Sequence, residues 1–141
     1  MTKLTFVDSG VLIAAARGTE EVARRAMVVL DDPERTFASS AFVRLEVLPK
    51  ALRHRREAEA QFYEAFFQSV TAWAAIGEPL ITEALSQAET SDLHAMDALH
   101  VAAALSLDAK EFITSERPEK AINKVTSIPV RTIHPATARL A

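Results

Sequence analysis

The stretch LTFVDSGVLIAAARG, residues 4–18, predicts how the fold of this chain begins. Its first four residues predict a short apolar strand. The apolar run after Asp8 predicts a helix, which should stop at Gly18 because glycine readily ends helices. The strand therefore leads directly into a helix, with an acidic residue at the junction.

Short apolar strands and helices alternate along the rest of the chain. Besides residues 4–7, the predicted strands are Thr36–Ser39, Thr71–Ile76, Glu111–Thr114 and Val130–Ile133. After the first helix, the predicted helices are Glu20–Leu30, one beginning near Ala41, Arg56–Ser69, one from Gly77 to about Thr90, and Leu93–Leu107. This alternation predicts an α/β fold, in which a mainly parallel sheet of four to five strands is flanked by helices.

Three local features carry finer expectations. Pro49 should end or kink the helix that begins near Ala41, because proline removes a helical donor and clashes with the preceding turn. Ser91 or Asp92 should cap the helix Leu93–Leu107. Trp73 is expected to lie in the core.

The composition limits the class of protein. With 141 residues, 49% of them apolar and 25% charged, we expect one compact domain over residues 1–141 with a sizeable core. The chain has no cysteine, which excludes disulfides and thiolate chemistry and fits a reducing compartment. No uninterrupted apolar run approaches the roughly 20 residues that cross a bilayer. We therefore expect a cytoplasmic protein with no membrane association.

The charges are unevenly distributed. A formal net charge of −3 argues against a protein that coats nucleic acid non-specifically. Residues 44–57, however, contain five basic and two acidic residues, a local balance of +3. Such a segment beside an acidic centre would suit a phosphate polymer, although an ordinary solvated helix face has the same composition.

Four acidic residues lie at or near the ends of predicted strands. Asp8 and Glu116 directly follow strands, and Glu46 and Asp97 lie in early turns of helices. In parallel α/β sheets, active sites form beyond the carboxyl ends of the strands, so these four side chains can converge. Taken singly, each acid also has an ordinary role as a helix cap, a first-turn acid or a surface residue.

Converging carboxylates raise one another's pKa unless a cation compensates their charge. Hard divalent cations such as Mg²⁺ or Mn²⁺ prefer oxygen donors, and an incomplete carboxylate shell leaves positions for water and a phosphate oxygen. This is the chemistry of metal-assisted phosphodiester hydrolysis. The four acids therefore suggest a metal-dependent hydrolase.

The chain resembles PIN-domain ribonucleases, in particular the VapC-type toxins of toxin–antitoxin pairs. The matching segments, in the family's order, are FVDSGVLIAAA, VRLEVLPKAL, AMDALHVAAAL and FITSERP. The resemblance implies a Rossmann-like PIN fold and Mg²⁺- or Mn²⁺-dependent endonucleolytic cleavage of RNA. It also implies catalytic and metal-ligating roles for Asp8, Glu46 and Asp97.

Three further positions bear on the match to the family. Glu116 stands where the family usually has Asp or Asn, and its side chain reaches one methylene further, so it matches a fourth metal-ligating and catalytic acid more loosely. Ser9 matches a hydroxyl of the outer shell, which could hold a water or a phosphate oxygen. Gly10 replaces a more usual polar residue, which would remove one supporting contact.

The resemblance also implies partners: an RNA substrate, a cognate antitoxin and a second copy of the chain in a homodimer. The antitoxin would lay a tail in an apolar groove and place a basic side chain among the acids. Two other functions stay open. One is a non-catalytic PIN-like module that binds RNA or protein, and the other is a PIN nuclease of RNA processing that is not a toxin.

The histidines give little support to zinc chemistry. His94 and His100 are six residues apart and lack the i, i+4 spacing of a helical zinc pair, while His54 and His134 lie in basic or terminal surroundings. We expect all four to be structural or surface residues, with His100 near the edge of the site because it lies one turn after Asp97.

Overall fold

A computed structural model of the chain describes residues 1–135. The strands are Lys3–Val7 (β1), Arg35–Ser39 (β2), Ala72–Trp73 (β3), Glu111–Thr114 (β4) and Val130–Thr132 (β5). The α-helices are Ser9–Arg17 (α1), Glu20–Leu30 (α2), Ala41–Arg53 (α3), Glu57–Ser69 (α4), Glu78–Ser91 (α5) and Ala95–Ser106 (α6). A short 3₁₀ helix follows at Ala121–Lys124. Within this part of the chain, no helix is long and apolar enough to span a membrane.

The strands form one parallel sheet in the order β3-β2-β1-β4-β5, which confirms the predicted α/β fold. β1 is the central strand, and Phe6 pairs with Ala38 of β2 and Phe112 of β4. A parallel strand in this position is buried on both faces, which is why its sequence is nearly all apolar at the carboxyl end. Parallel pairing also places the carboxyl ends of β1, β2 and β4 along one edge of the sheet.

The core packs around β1 and the helix α6. The rings of Phe6 and Phe112 stack with their centroids 5.4 Å apart. Residues 101–104 of α6 are fully buried, because a run of valine and alanine lets this helix pack closely against its neighbours. The start of α6 is therefore held rigidly near the carboxyl edge of the sheet.

A buried carboxylate, Glu111, lies on the sheet face beside β1. It accepts hydrogen bonds from Thr5 Oγ1 at 2.7 Å and Arg35 Nε at 2.6 Å, and Lys3 Nζ lies 3.4 Å away. Burial acts to raise the pKa of Glu111, but these hydrogen bonds and charges outweigh it and hold the pKa below the ordinary 4.5. The charge is thus retained inside the fold because cations compensate it.

The prediction that Pro49 ends α3 is wrong, because the helix continues to Arg53. Pro49 and Leu45 both lie on the exposed side of the helix. Proline has no N–H to donate to the Leu45 carbonyl, and this carbonyl can instead face water. On the opposite side, Val47 and Ala51 are buried in the core. Packing on both sides of the proline therefore keeps the helix intact.

The third strand is shorter and more exposed than its sequence predicts. β3 contains two residues rather than the six of Thr71–Ile76, and it pairs with Ala38 and Ser39 at the edge of the sheet. Trp73 is 40% exposed, so its assignment to the core is wrong. An edge strand has a neighbour on one side only, and this indole packs against the Phe67 ring at 5.8 Å between centroids while its other side faces solvent.

The expected cap of α6 is also wrong. α6 begins at Ala95 with His94 at its N-cap, and α5 extends through Ser91. Asp92 instead ends α5 in the left-handed region, with φ 54° and ψ 47°, and its N–H donates to the Ala88 carbonyl. Aspartate tolerates this conformation better than most residues, so the same side-chain type serves a C-terminus rather than an N-terminus.

The pairing of Glu111 generates a stability prediction. Arg35→Ala should lower the free energy of unfolding at pH 7 by about 2–3 kcal/mol, because a buried carboxylate loses its best donor. Lys3→Ala is the control: the lysine side chain is 43% exposed, so its loss should cost less than about 1 kcal/mol. Urea denaturation would measure both, and equal losses would contradict the prediction.

The same measurement has an expected pH dependence. Because the pKa of Glu111 is lowered in the folded chain, its contribution is present above the ordinary pKa of 4.5 and is lost as the pH falls through the folded value. The difference between wild type and Arg35→Ala should therefore shrink in acid.

Candidate active site

Asp8 lies at the junction of β1 and α1 and caps the helix. Its N–H donates to the Ile113 carbonyl at 3.0 Å, and its carboxylate accepts from the Val11 N–H at 3.3 Å. The side chain is nearly buried, with the residue 7% exposed. The ordinary role of a helix cap is thus confirmed, and it holds the carboxylate at the carboxyl edge of the sheet.

Burial makes the charge of Asp8 costly. It raises the pKa of Asp8 from 3.8 to about 6, against the opposing effects of a hydrogen bond from Thr114, the charge of His100 and the Val11 N–H. The negative charge of Asp97 raises the pKa further. A cation beside this carboxylate would favour its ionised form.

Glu46 is held by donors from two other helices. Ser9 Oγ of α1 donates to Glu46 Oε1 at 2.6 Å, and His100 Nε2 of α6 lies 2.6 Å from the same oxygen. The hydrogen bond from His100 is the main cause that lowers the pKa of Glu46; burial opposes it, and Ser9 adds to it. The Ser9 hydroxyl therefore contacts an acid of the cluster, and its predicted contact with a water or a phosphate oxygen stays a prediction.

Asp97 is the third residue of α6 and lies in the electrostatic field of the other acids. Its pKa is raised, chiefly by burial; the charges of His100 and His94 oppose the shift, while those of Glu116 and Glu46 add to it. Asp8 in turn feels the charge of Asp97. The structure therefore brings the other three sequence-predicted acids within electrostatic reach of Asp97.

Glu116 lies at the rim rather than in the buried centre. It is exposed in the turn after β4, where its N–H donates to Thr114 Oγ1 at 3.2 Å. With Asp97 it borders a cavity of about 420 Å³. The other residues that line this cavity are Asp92, His94, Glu119, Lys120, Ala121 and Ile122. Asp8 and Glu46 do not line it.

A serine that sequence reasoning missed lies next to Gly10. A Cβ atom on Gly10 would stand 2.1 Å from Ser115 Oγ and 3.5 Å from Asp8 Oδ1. The place of a side chain at position 10 is therefore taken by a hydroxyl from the turn after β4. No local pattern in the sequence indicates that Ser115 lies here.

The donor chemistry of the cluster fits a hard divalent cation. Asp8 and Asp97 carry raised pKa values, and Glu46 is kept ionised, so the centre holds oxygen donors whose charges oppose one another. Within residues 1–135, no three His, Asp or Glu side chains stand in a ready metal-binding geometry.

A parallel α/β sheet with acids clustered at its carboxyl edge defines the class of protein. The family model of the PIN domain matches residues 5–122, so the chain belongs to the PIN domain family. At the level of the family it is a nuclease, which is a kind of hydrolase. No curated protein matches the chain by sequence.

Several solved structures have a fold similar to that of this chain. VapBC2 from Rickettsia felis, bound to a DNA fragment from its promoter, is similar with a TM-score of 0.68 and 10% identity. A toxin–antitoxin complex from Klebsiella pneumoniae has a TM-score of 0.68 and 20% identity. VapBC-1 from nontypeable Haemophilus influenzae has a TM-score of 0.64 and 17% identity. Each match covers 92% of this chain and 98% of the other. At such identities the likeness shows the fold.

The opposite pKa shifts of Asp8 and Glu46 predict opposite effects on stability without metal. Asp8 has a folded pKa of about 6 against 3.8, so the fold loses stability as the pH rises through that window. Asp8→Asn keeps a capping residue and removes this cost, so it should raise the free energy of unfolding at pH 8 by about 1–3 kcal/mol. Glu46→Gln should lower it, because the lowered pKa marks a stabilised charge.

Urea denaturation in EDTA at pH 8 and pH 4 would check both variants. The gain from Asp8→Asn should largely disappear at pH 4, where the wild-type carboxyl is protonated in the folded chain. A loss of stability for Asp8→Asn at pH 8 would show that burial does not disfavour its charge.

Proposed function

We propose that this chain is a divalent-metal-dependent endoribonuclease and the toxin of a type II toxin–antitoxin pair. The observation that carries the proposal is the convergence of Asp8, Glu46 and Asp97 at the carboxyl edge of a PIN-domain sheet, with the pKa of both aspartates raised. A hard cation would stabilise the charges of these acids. Without that cation, the acids would repel a phosphate.

Asp8, Glu46 and Asp97 would hold Mg²⁺ or Mn²⁺, with Glu116 at the outer rim. When bound, the metal supplies a Lewis acid that polarises a phosphate oxygen and makes water easier to deprotonate. The residues of the chain do the rest. Burial of Asp8 limits the access of bulk water, and the donors from Ser9 and His100 keep Glu46 ionised and in one orientation.

RNA would reach the acids by way of the cavity beside Asp97. Lys120 lines this cavity together with Glu116 and Glu119. Its positively charged side chain therefore lies at the entrance to the acidic centre. Further positive charge lies in the last turn of α3, at Lys50 and Arg53, and in the residues that follow this helix. Such positive charge would attract the phosphate backbone regardless of its base sequence.

The toxin role rests on similarity of fold and on an uncovered apolar surface. The similar structures include complexes described as VapBC and as toxin–antitoxin complexes. On α3, Leu45 and Leu52 are 66% and 62% exposed and border a shallow groove with Ala41, Leu48 and Pro49. Exposed apolar side chains grouped in this way suit a protein partner. An antitoxin, a second copy of the chain and a cytoplasmic location belong to this proposal.

One observation favours a second function, that of a PIN-like module which binds RNA or protein without cutting. Within residues 1–135 the carboxylates do not already form a metal-binding group. A nuclease of RNA processing would share the chemistry proposed above and differ in its biological role alone. The cleavage assay below separates the binding module from either nuclease.

The proposal predicts metal-dependent cleavage that needs Asp97. Purified protein should cut a pool of structured RNAs with Mg²⁺ or Mn²⁺ and not with EDTA, and Asp97→Asn should lower the rate by at least about 100-fold, because a ligand charge is lost. Asp108→Asn is a matched control outside this cavity, because Asp108 is exposed and asparagine also tolerates its left-handed conformation, with φ 54°. It should stay within about 3-fold of wild type.

Cleavage that persists in EDTA, or an Asp97→Asn variant as active as wild type, would contradict the proposed centre. Absence of both cleavage and metal binding in the wild-type protein would favour the binding module.

Glu116 should contribute less than the three central acids. Its side chain is exposed at the rim, so water already solvates its charge and a cation would gain less from it. Glu116→Gln should therefore lower the cleavage rate by less than about 10-fold. A loss as large as that of Asp97→Asn, in the same assay, would instead make Glu116 a full ligand.

A further inference from the structure

We propose that His100 is a positioning residue, which orients the Glu46 carboxylate so that its second oxygen can bind the cation. This inference rests on the proposed metal-dependent function. His100 is 1% exposed, and its Nε2 atom lies 2.6 Å from Glu46 Oε1. From the sequence we expected this histidine to lie at the edge of the site as a structural residue.

One ring nitrogen of His100 is satisfied by Glu46 and the other is not. The Nδ1 atom of His100 is buried and has no hydrogen-bond partner in the described part of the chain. A buried polar atom without a partner costs free energy, whereas an apolar side chain of similar size would avoid this cost. The neighbours are apolar, with the Phe6 ring 6.1 Å away between centroids and Val101 fully buried.

The hydrogen bonds to Glu46 are all on one of its two carboxylate oxygens. Ser9 and His100 both donate to Oε1, and within residues 1–135 no hydrogen bond engages Oε2. A glutamate has three rotatable bonds, and 32% of this side chain is exposed, so it would sample several orientations if it were not held. Two donors on one oxygen restrict that freedom and leave the other oxygen available.

His100 and the proposed ligand Asp97 lie on one helix. They are three residues apart on α6, so both side chains lie on the same face. The following residues of α6 are buried in the core, which gives the helix little freedom to move. The hydrogen bond from His100 thus links Glu46 on α3 directly to the helix that carries Asp97. Partners that orient metal ligands in this way are a recurring requirement of metal centres.

The test is calorimetric titration of Mn²⁺ into the full chain without RNA, compared among wild type, His100→Leu and His100→Gln. Leucine fills the space and removes the donor, so Mn²⁺ affinity should fall by about 10- to 100-fold. Glutamine has an amide N–H at a similar reach and should restore affinity to within about 3-fold of wild type. RNA cleavage should follow the same order.

A structural role would give a different result. His100→Leu would then change the unfolding midpoint in urea and leave Mn²⁺ affinity unchanged, and that outcome would overturn the inference. A double-mutant cycle adds a second criterion. If His100 acts through Glu46, His100→Leu should have no further effect on affinity in a Glu46→Gln background. A further tenfold loss there would also overturn it.

Two outcomes separate this inference from the function on which it rests. If wild type binds Mn²⁺ and cuts RNA while His100→Leu binds equally well, the inference alone fails. If wild type neither binds Mn²⁺ nor cuts RNA, the proposed function fails and the inference with it. Should His100→Leu not fold, His100→Asn replaces it, because asparagine is polar but too short to reach Glu46. Equal Mn²⁺ affinity for the Gln and Asn variants would then refute the inference.

Discussion

The parallel pairing of β1 with β2 and β4 is the constraint on which the rest of the structure depends. It aligns the carboxyl ends of three strands, so the residues that follow them must share one edge of the sheet. Asp8 follows β1 directly, and its N–H donates to the Ile113 carbonyl of β4. The helices α3 and α6 then pack so that Glu46 and Asp97 reach the same edge. Acids from distant parts of the chain converge because one strand pairs on both sides.

The chain treats buried carboxylates in two ways. Glu111 lies among Lys3, Arg35 and Thr5, and the pKa of its carboxyl is lowered because these donors outweigh the effect of burial. At the carboxyl edge, burial dominates and the pKa of Asp8 rises to about 6. The charge of Glu111, inside the fold, is compensated by neighbouring cations. The charge of Asp8, at the candidate site, is not, and a bound cation would stabilise it. This contrast fits the expectation that perturbed pKa values collect at functional sites.

Membership of the PIN family settles the fold and the nuclease class, and individual residues adapt the family's pattern to this chain. Gly10 lacks a side chain, yet Ser115 brings a hydroxyl into that space from another loop. The hydroxyl of Ser9 faces Glu46, which ties α1 to α3. The acidic centre is thus supported by contacts between elements, because each supporting group comes from a different segment.

The order of strands and helices, the parallel sheet and the placement of four acids after strands or in early helical turns could be predicted from the sequence. These features depend on periodicity and on strand–helix junctions, which are properties of neighbouring residues. Prediction from the sequence was wrong for Pro49 and Trp73, whose surroundings are set by packing on α3 and by the edge position of β3. Only the tertiary structure paired His100 with Glu46, which are 54 residues apart. Such contacts depend on how helices pack, and local residue patterns carry no information about that packing distance or orientation.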